Sequence, residues 1–112
     1  MATAEECEQA LHTLAQRMDE HSARDARSTA FERTLSCTLR DLRITFAGRL
    51  TDGHLREIRR SDGAHGQIRL EMTSDDLVRL VDGELNLGSA WATGRVKVHA
   101  GVRDMIKLRS IF

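Results

Sequence analysis

The stretch TLSCTLRDLRITFAGRLT, residues 34–51, decides the fold class. Leu35, Cys37 and Leu39 alternate with Ser36, Thr38 and Arg40, and Ile44, Phe46 and Leu50 alternate with Arg43, Thr45 and Arg49. A period of two is that of a half-buried β-strand. Asp41-Leu42 leaves room only for a tight reversal, so the stretch reads as two antiparallel strands sharing one apolar face. Asp52-Gly53 supplies the next turn, since both residues tolerate positive φ. Residues 54–60 fit less cleanly: Leu55 and Ile58 are three apart, and the segment reads as a bulged edge strand.

Downstream, Asp62-Gly63 makes another turn, and Ile68, Leu70 and Met72 alternate as a fourth strand. Thr73 and Asp76 have capping-box spacing before the stripe Leu77, Val78, Leu80 and Val81, and Gly83 sits where a helix C-cap belongs. Asn86 caps a second short helix through Ala90, Trp91 and Ala92 to Gly94, before Val96 and Val98 alternate in a last strand. The long helical passage between those two strands permits a parallel crossover. Upstream, Thr3 and Glu6 form a capping box, and Cys7, Ala10, Leu11, Leu14, Ala15 and Met18 define one face of a helix over residues 4–20. The polar stretch 19–28 is a surface connection. Residues 102–112 read as a helix whose apolar positions cover about 220° of the wheel, more than the roughly 100° that one-sided docking uses, so it needs a further apolar contact. The fold class is α+β: a five-stranded, mostly antiparallel sheet with helices packed on one face.

The 112 residues, 40% of them hydrophobic, suit one domain spanning 1–112. Seventeen Lys+Arg balance seventeen Asp+Glu, which removes the uniform basic field of a nonspecific nucleic-acid binder. Arginine supplies nearly all the basic charge, with only Lys97 and Lys107 as lysines, the coding bias of a GC-rich bacterial genome. No apolar run approaches the roughly 20 residues of a membrane span and no signal peptide is recognisable, so a cytoplasmic protein is expected. Cys7 and Cys37 form no CxxC and read as small apolar residues in a reducing compartment. His12, His21, His54, His65 and His99 lack zinc-site spacing, and no phosphate-binding glycine pattern occurs, so neither metal nor cofactor is expected. Cys37 alternates onto an inward face where burial disfavours a thiolate, and Asp75-Asp76 is explained by helix capping, which leaves no catalytic constellation. Arg40, Arg43, Arg49, Arg69, Arg95 and Lys97 are expected on the outward sheet face, relieved mainly by Glu71, allowing at most weak contact with an anionic membrane surface.

Residues 73–112, with Leu77, Leu80, Asp82-Gly83-Glu84-Leu85, Ala90, Gly94-Arg95-Val96-Lys97-Val98 and the closing Leu108 to Phe112, resemble the sterol carrier protein type 2 family of lipid-binding domains. The resemblance implies a non-catalytic domain with an apolar tunnel between sheet and helices for a sterol, fatty acid or fatty acyl-CoA. It implies a lining drawn from Met72, Leu77, Leu80, Val81, Leu87, Trp91, Met105, Leu108 and Phe112. The chain departs from the family in ending Arg109-Ser110-Ile111-Phe112 rather than in a Ser-Lys-Leu-type address. It is compact for the family and has few aromatics, Phe31, Phe46, Trp91 and Phe112, which counts against a full-length sterol tunnel and is compatible with a narrower acyl-chain site. The alternative is a structural or interaction module with a filled core, which dimerises or docks through the C-terminal helix.

Overall fold

The computed structural model describes residues 1–22, 32–51, 54–63 and 65–104. Among the described residues the elements follow in the order α1 (Ala4–Ser22), β1 (Glu32–Leu39), β2 (Ile44–Thr51), β3 (His54–Ser61), β4 (Ile68–Met72), α2 (Ser74–Val81), α3 (Leu87–Ala92) and β5 (Lys97–His99). Each anticipated cap forms. The Thr3 hydroxyl accepts from the Glu6 amide at 3.1 Å while Glu6 Oε1 accepts from the Thr3 amide at 3.2 Å. Thr73 and Asn86 accept from the amides of Asp76 and Ser89, and Gly83 and Gly94, each at φ 80°, follow α2 and α3. The polar connection expected over 19–28 lies in part, at 19–22, within α1, and the rest of it is outside the described residues. Of the expected C-terminal helix, residues 102–104 are helical and the others lie outside the described residues.

The sheet order is β3-β2-β1-β4-β5. β1 pairs antiparallel with β2 and parallel with β4, in registers that set Cys37 beside both Phe46 and Leu70 and Leu39 beside both Ile44 and Met72. These side chains share the inner face with Leu50, Leu55 and Ile68, and α1 packs there against α2 and β3. The Cys7 thiol reaches the Ser74 carbonyl at 3.7 Å, and Arg17 Nη1 donates to the Val81 carbonyl, fastening α1 to α2.

The parallel pair is not where the sequence allowed it. β5 runs antiparallel to β4, Lys97 facing Glu71 and Val98 facing Leu70. A crossover would have to carry the chain along a whole strand, but α2 and α3 have eight and six residues and are joined by a sharp turn at 82–86. They go out and come back, and the Arg95 amide bonds to the Ala90 carbonyl at 2.8 Å as the chain re-enters beside the end of β4. The parallel pair is β1 with β4. β3 ends opposite Thr45, whereas β4 begins beside Leu35, so the chain between them crosses the sheet. It does so on the outer face, where the Gln67 amide donates to Thr34 Oγ1 at 3.0 Å and Gln67 Oε1 accepts from the Thr34 amide at 3.2 Å. Gly66 sits against β1 at φ 127°, where an added Cβ would lie 3.1 Å from the Thr34 carbonyl oxygen. Ser36, on the outer face opposite Ala47, is only 1% exposed, and its hydroxyl has no partner among the described residues.

The expected arginine face is corrected in part. Arg49, Arg69 and Lys97 are exposed strand residues, but Arg40 and Arg43 belong to the β1–β2 turn and Arg95 to the approach to β5.

β3 is an edge strand and carries a bulge. Arg49 pairs with Arg56 and Ala47 with Arg59, so Glu57 and Ile58 together oppose Gly48. Glu57 adopts φ 57°, a left-handed backbone that glycine usually fills at this type of bulge. The extra residue inverts the side-chain alternation, which turns Ile58 inward with Leu55 and Arg59 outward. The left-handed conformation is hardest for a β-branched residue. Glu57→Gly is therefore expected to unfold at least about 1 kcal/mol above Glu57→Val, although strands normally favour valine. Both variants lose the exposed Glu57–Arg49 ion pair (3.4 Å), so their difference in urea melts isolates the backbone.

The β1–β2 turn holds the start of α2. Asp41 accepts from the Ser74 amide at 2.9 Å and from the Ser74 hydroxyl at 2.5 Å, a carboxylate at a helix N-terminus. Partial burial raises the Asp41 pKa, but the bonds from Ser74 and from the Asp41 and Leu42 amides outweigh it and hold the group below the ordinary carboxylate value. A folded pKa below the unfolded one stabilises above roughly pH 3.9, and that contribution is lost as pH falls through the folded value. Asp41→Ala is expected to cost about 0.5–2 kcal/mol at pH 7, and urea melts should show the gap to wild type closing on acidification below that range.

Candidate functional site

A narrow apolar pocket lies between α1 and the β1–β3 part of the sheet, lined by Leu11, Leu35, Cys37, Phe46, Ala47, Gly48, Leu55 and Ile58. Two local features open it. The bulge brings Ile58 to the inner side, and Gly48, paired with Leu35, has no side chain to fill the space between them. A Cβ at Gly48 would stand 3.3 Å from Leu55 Cδ1 and 3.3 Å from the Arg56 carbonyl. Its volume is about 20 Å³, room for about one water molecule. At the β3 edge, Asp19 of α1 meets His54 Nδ1 at 2.5 Å and Arg56 Nη1 at 3.1 Å, and the His54 hydrogen bond, with help from Arg56, lowers the Asp19 pKa. This cluster ties the end of α1 to the start of β3. At the other end of the described chain, Asp104, 8% exposed, pairs with Arg33 Nε at 3.0 Å and draws residues 102–104 onto β1.

Six of the positions expected to line a tunnel fall among the described residues. Met72, Leu77 and Val81 are buried core residues, while Leu80 and Leu87 are half-buried against that core. Trp91 is 45% exposed on α3. None of these six lines the apolar pocket, and Met105, Leu108 and Phe112 lie outside the described residues. Residues such as Leu11, Cys37 and Leu55 read in sequence as ordinary core. The signal that could have marked a pocket among them is the broken Leu55/Ile58 spacing with a glycine, Gly48, one turn of the meander away.

The chemistry of the pocket is apolar. Its thiol, Cys37, is 5% exposed, and burial, with a smaller contribution from nearby Cys7, pushes its pKa up to about 12. Cys7 is pushed up to about 11, mainly by burial and then by Asp41, Glu6 and Asp75. Asp76 belongs to the first turn of α2, 3.8 Å from Arg95. Among the described residues, no group of three or more His, Cys, Asp or Glu is placed to hold a metal ion, and no helix is long and apolar enough to cross a membrane.

The model of the SCP-2 sterol transfer family matches residues 11–112. The chain belongs to that family. No curated protein matches it significantly by sequence. Among solved structures it is similar to a sterol carrier protein 2 crystal structure, at TM-score 0.66 and 16% identity over 92% of this chain and 90% of that one. It is similar also to sterol carrier protein 2 of Aedes aegypti in complex with a C16 fatty acid, palmitate, at TM-score 0.66 and 18% identity over 98% and 94% of the two chains. A stereoselective inverting sec-alkylsulfatase of Pseudomonas sp. matches at TM-score 0.65 and 21% identity over 88% of this chain, which spans only 15% of the sulfatase. At these identities the matches establish a shared fold, and the five-stranded α+β architecture is that of the sterol carrier proteins.

Raised thiol pKa values make a direct prediction for this SCP-2 family chain. In the native state Cys7 and Cys37 should react with iodoacetamide at pH 8 at least about 100-fold more slowly than in urea, because the thiolate is the nucleophile. Modification followed by intact-mass measurement checks this.

Proposed function

We propose that the chain is a non-catalytic lipid-binding domain that holds a single acyl chain between α1 and the inner sheet face. The observation that carries this reading is the apolar pocket beneath α1 in a chain of the SCP-2 sterol transfer family. The palmitate complex of the Aedes aegypti protein supports it through the shared fold. A volume of about 20 Å³ favours an acyl chain over a sterol: a flexible chain can advance by displacing Leu11 and Leu35 stepwise, whereas a rigid ring system needs a preformed cavity nearer 300 Å³. Burying roughly 400 Å² of apolar ligand surface contributes about 10 kcal/mol gross, against an association cost of about 4 kcal/mol or more, so micromolar binding is attainable. We extend the site along the inner face to Met72, Leu77, Leu80, Val81, Leu87 and Trp91, and to Met105, Leu108 and Phe112, assigned from sequence alone. The reading carries with it a cytoplasmic protein, which suits two free cysteines. The small pocket volume also favours one alternative, a structural or interaction module with a filled core that dimerises or docks through the C-terminal helix.

Palmitate is expected to change the fluorescence of Trp91, the sole tryptophan, saturably at micromolar concentration. Leu35→Phe, which narrows the pocket, should weaken the response roughly tenfold, equivalent to about 1.4 kcal/mol. Leu108→Ala should weaken it with a smaller loss of stability than the roughly 2–5 kcal/mol of a packed core leucine. No saturable response, together with a lipid-free dimer in native mass spectrometry, would replace lipid binding with the interaction module.

A further inference from the structure

On the opposite side of the sheet from the apolar pocket lies a second, polar cavity of about 260 Å³. Its floor is the outer side of Thr34, Ala47 and Gly48. One wall is formed by Arg49 of β2 with Glu57 and Arg59 of the β3 edge, and the other by the crossing connection, with His65 and Gly66. The two features that build it are independent: the bulge turns Arg59 outward onto the floor, and the parallel placement of β4 forces the connection across the sheet, where it forms the facing wall.

Two arginines and one carboxylate line the groove. Arg49 Nε pairs with Glu57 at 3.4 Å and its Nη1 with Glu32 at 3.3 Å, so the carboxylate of Glu57 is already engaged. Arg59 gives one Nη1 bond to the Glu57 carbonyl at 3.3 Å and has no carboxylate partner among the described residues. Its remaining donors form a planar fork suited to two oxygens of one anionic group. The residue that sets this geometry, Glu57, is held in a left-handed conformation, the kind of local strain that a fold retains at positions with a task.

We propose that this outer groove binds a small oxyanion, a phosphate or carboxylate group, with Arg59 as its principal donor and Arg49 and His65 beside it. The volume suits a phosphate monoester or a headgroup, and is below that of a site for a larger organic ligand. The proposal is separate from lipid binding on the inner face, and either can fail without the other.

The test is an amide chemical-shift titration of the full chain with inorganic phosphate at low ionic strength, where screening is weak. A parallel arm measures sedimentation with phosphatidylcholine vesicles containing phosphatidic acid. The variants are Arg59→Ala, Arg59→Lys and the control Arg60→Ala, whose exposed side chain takes no part in the groove. The expected result is saturable shifts at His65 and Gly66, weakened at least about fivefold by Arg59→Ala, partly restored by Arg59→Lys and unchanged in Arg60→Ala. The same pattern in the vesicle arm alone supports the site with a lipid headgroup as the source of the anion. Equal losses in the Arg59 and Arg60 alanine variants, or no saturable response in either arm, would overturn it.

Discussion

β1 is hydrogen-bonded along both edges, antiparallel to β2 and parallel to β4, and its neighbours take their faces from it. Side chains alternate with period two, so a slip of one residue in either ladder would carry Cys37, Leu39, Phe46, Leu70 and Met72 away from the helices. The parallel ladder makes the second demand. A strand that must start at the Leu35 end of the sheet cannot follow directly from one that finishes at the Thr45 end. The chain therefore crosses the outer face, where Thr34 and Gln67 hold it by two reciprocal hydrogen bonds. Both sides of the sheet are thus covered in part, one by helices and one by a strap of backbone, and the two cavities lie under these covers.

One inserted residue in β3 shapes both cavities. By reversing the alternation after Glu57, it contributes Ile58 to the apolar pocket and Arg59 to the polar groove. Gly48, across the ladder, leaves the apolar pocket unfilled, and Leu35, Ala47 and Gly48 border both spaces. An unfilled space forfeits packing contacts, so a fold under selection for stability alone gains by closing it. The five-stranded architecture is shared with solved structures at identities of only 11–21%.

With equal numbers of acidic and basic residues, the chain uses several of its carboxylates to fasten element ends. Asp41 holds the start of α2, Asp19 joins the end of α1 to β3, and Asp104 joins residues 102–104 to β1. These pairs sit where elements meet, and the apolar pocket itself contains no charged side chain.

The sequence by itself determined the elements and their inner faces. Capping at Thr3, Thr73 and Asn86, the period-two runs of β1, β2 and β4, and the helical stripe from Cys7 to Met18 depend on neighbours a few residues away, and all are found where local chemistry put them. The irregular Leu55/Ile58 spacing already marked the bulged edge strand, and the pattern of residues 73–112 carried the family. Strand partners were not legible in the same way, because pairing is a contest among strands that all have acceptable apolar faces. Two short helices of uncertain packing fit a crossover or a return equally well, and only the packed structure chose the return for β5 and the parallel place beside β1 for β4. The pocket was hidden for a related reason: an empty space is a property of several elements at once, and Leu11, Cys37, Gly48 and Ile58 become its walls only when helix, central strands and bulged edge are brought together.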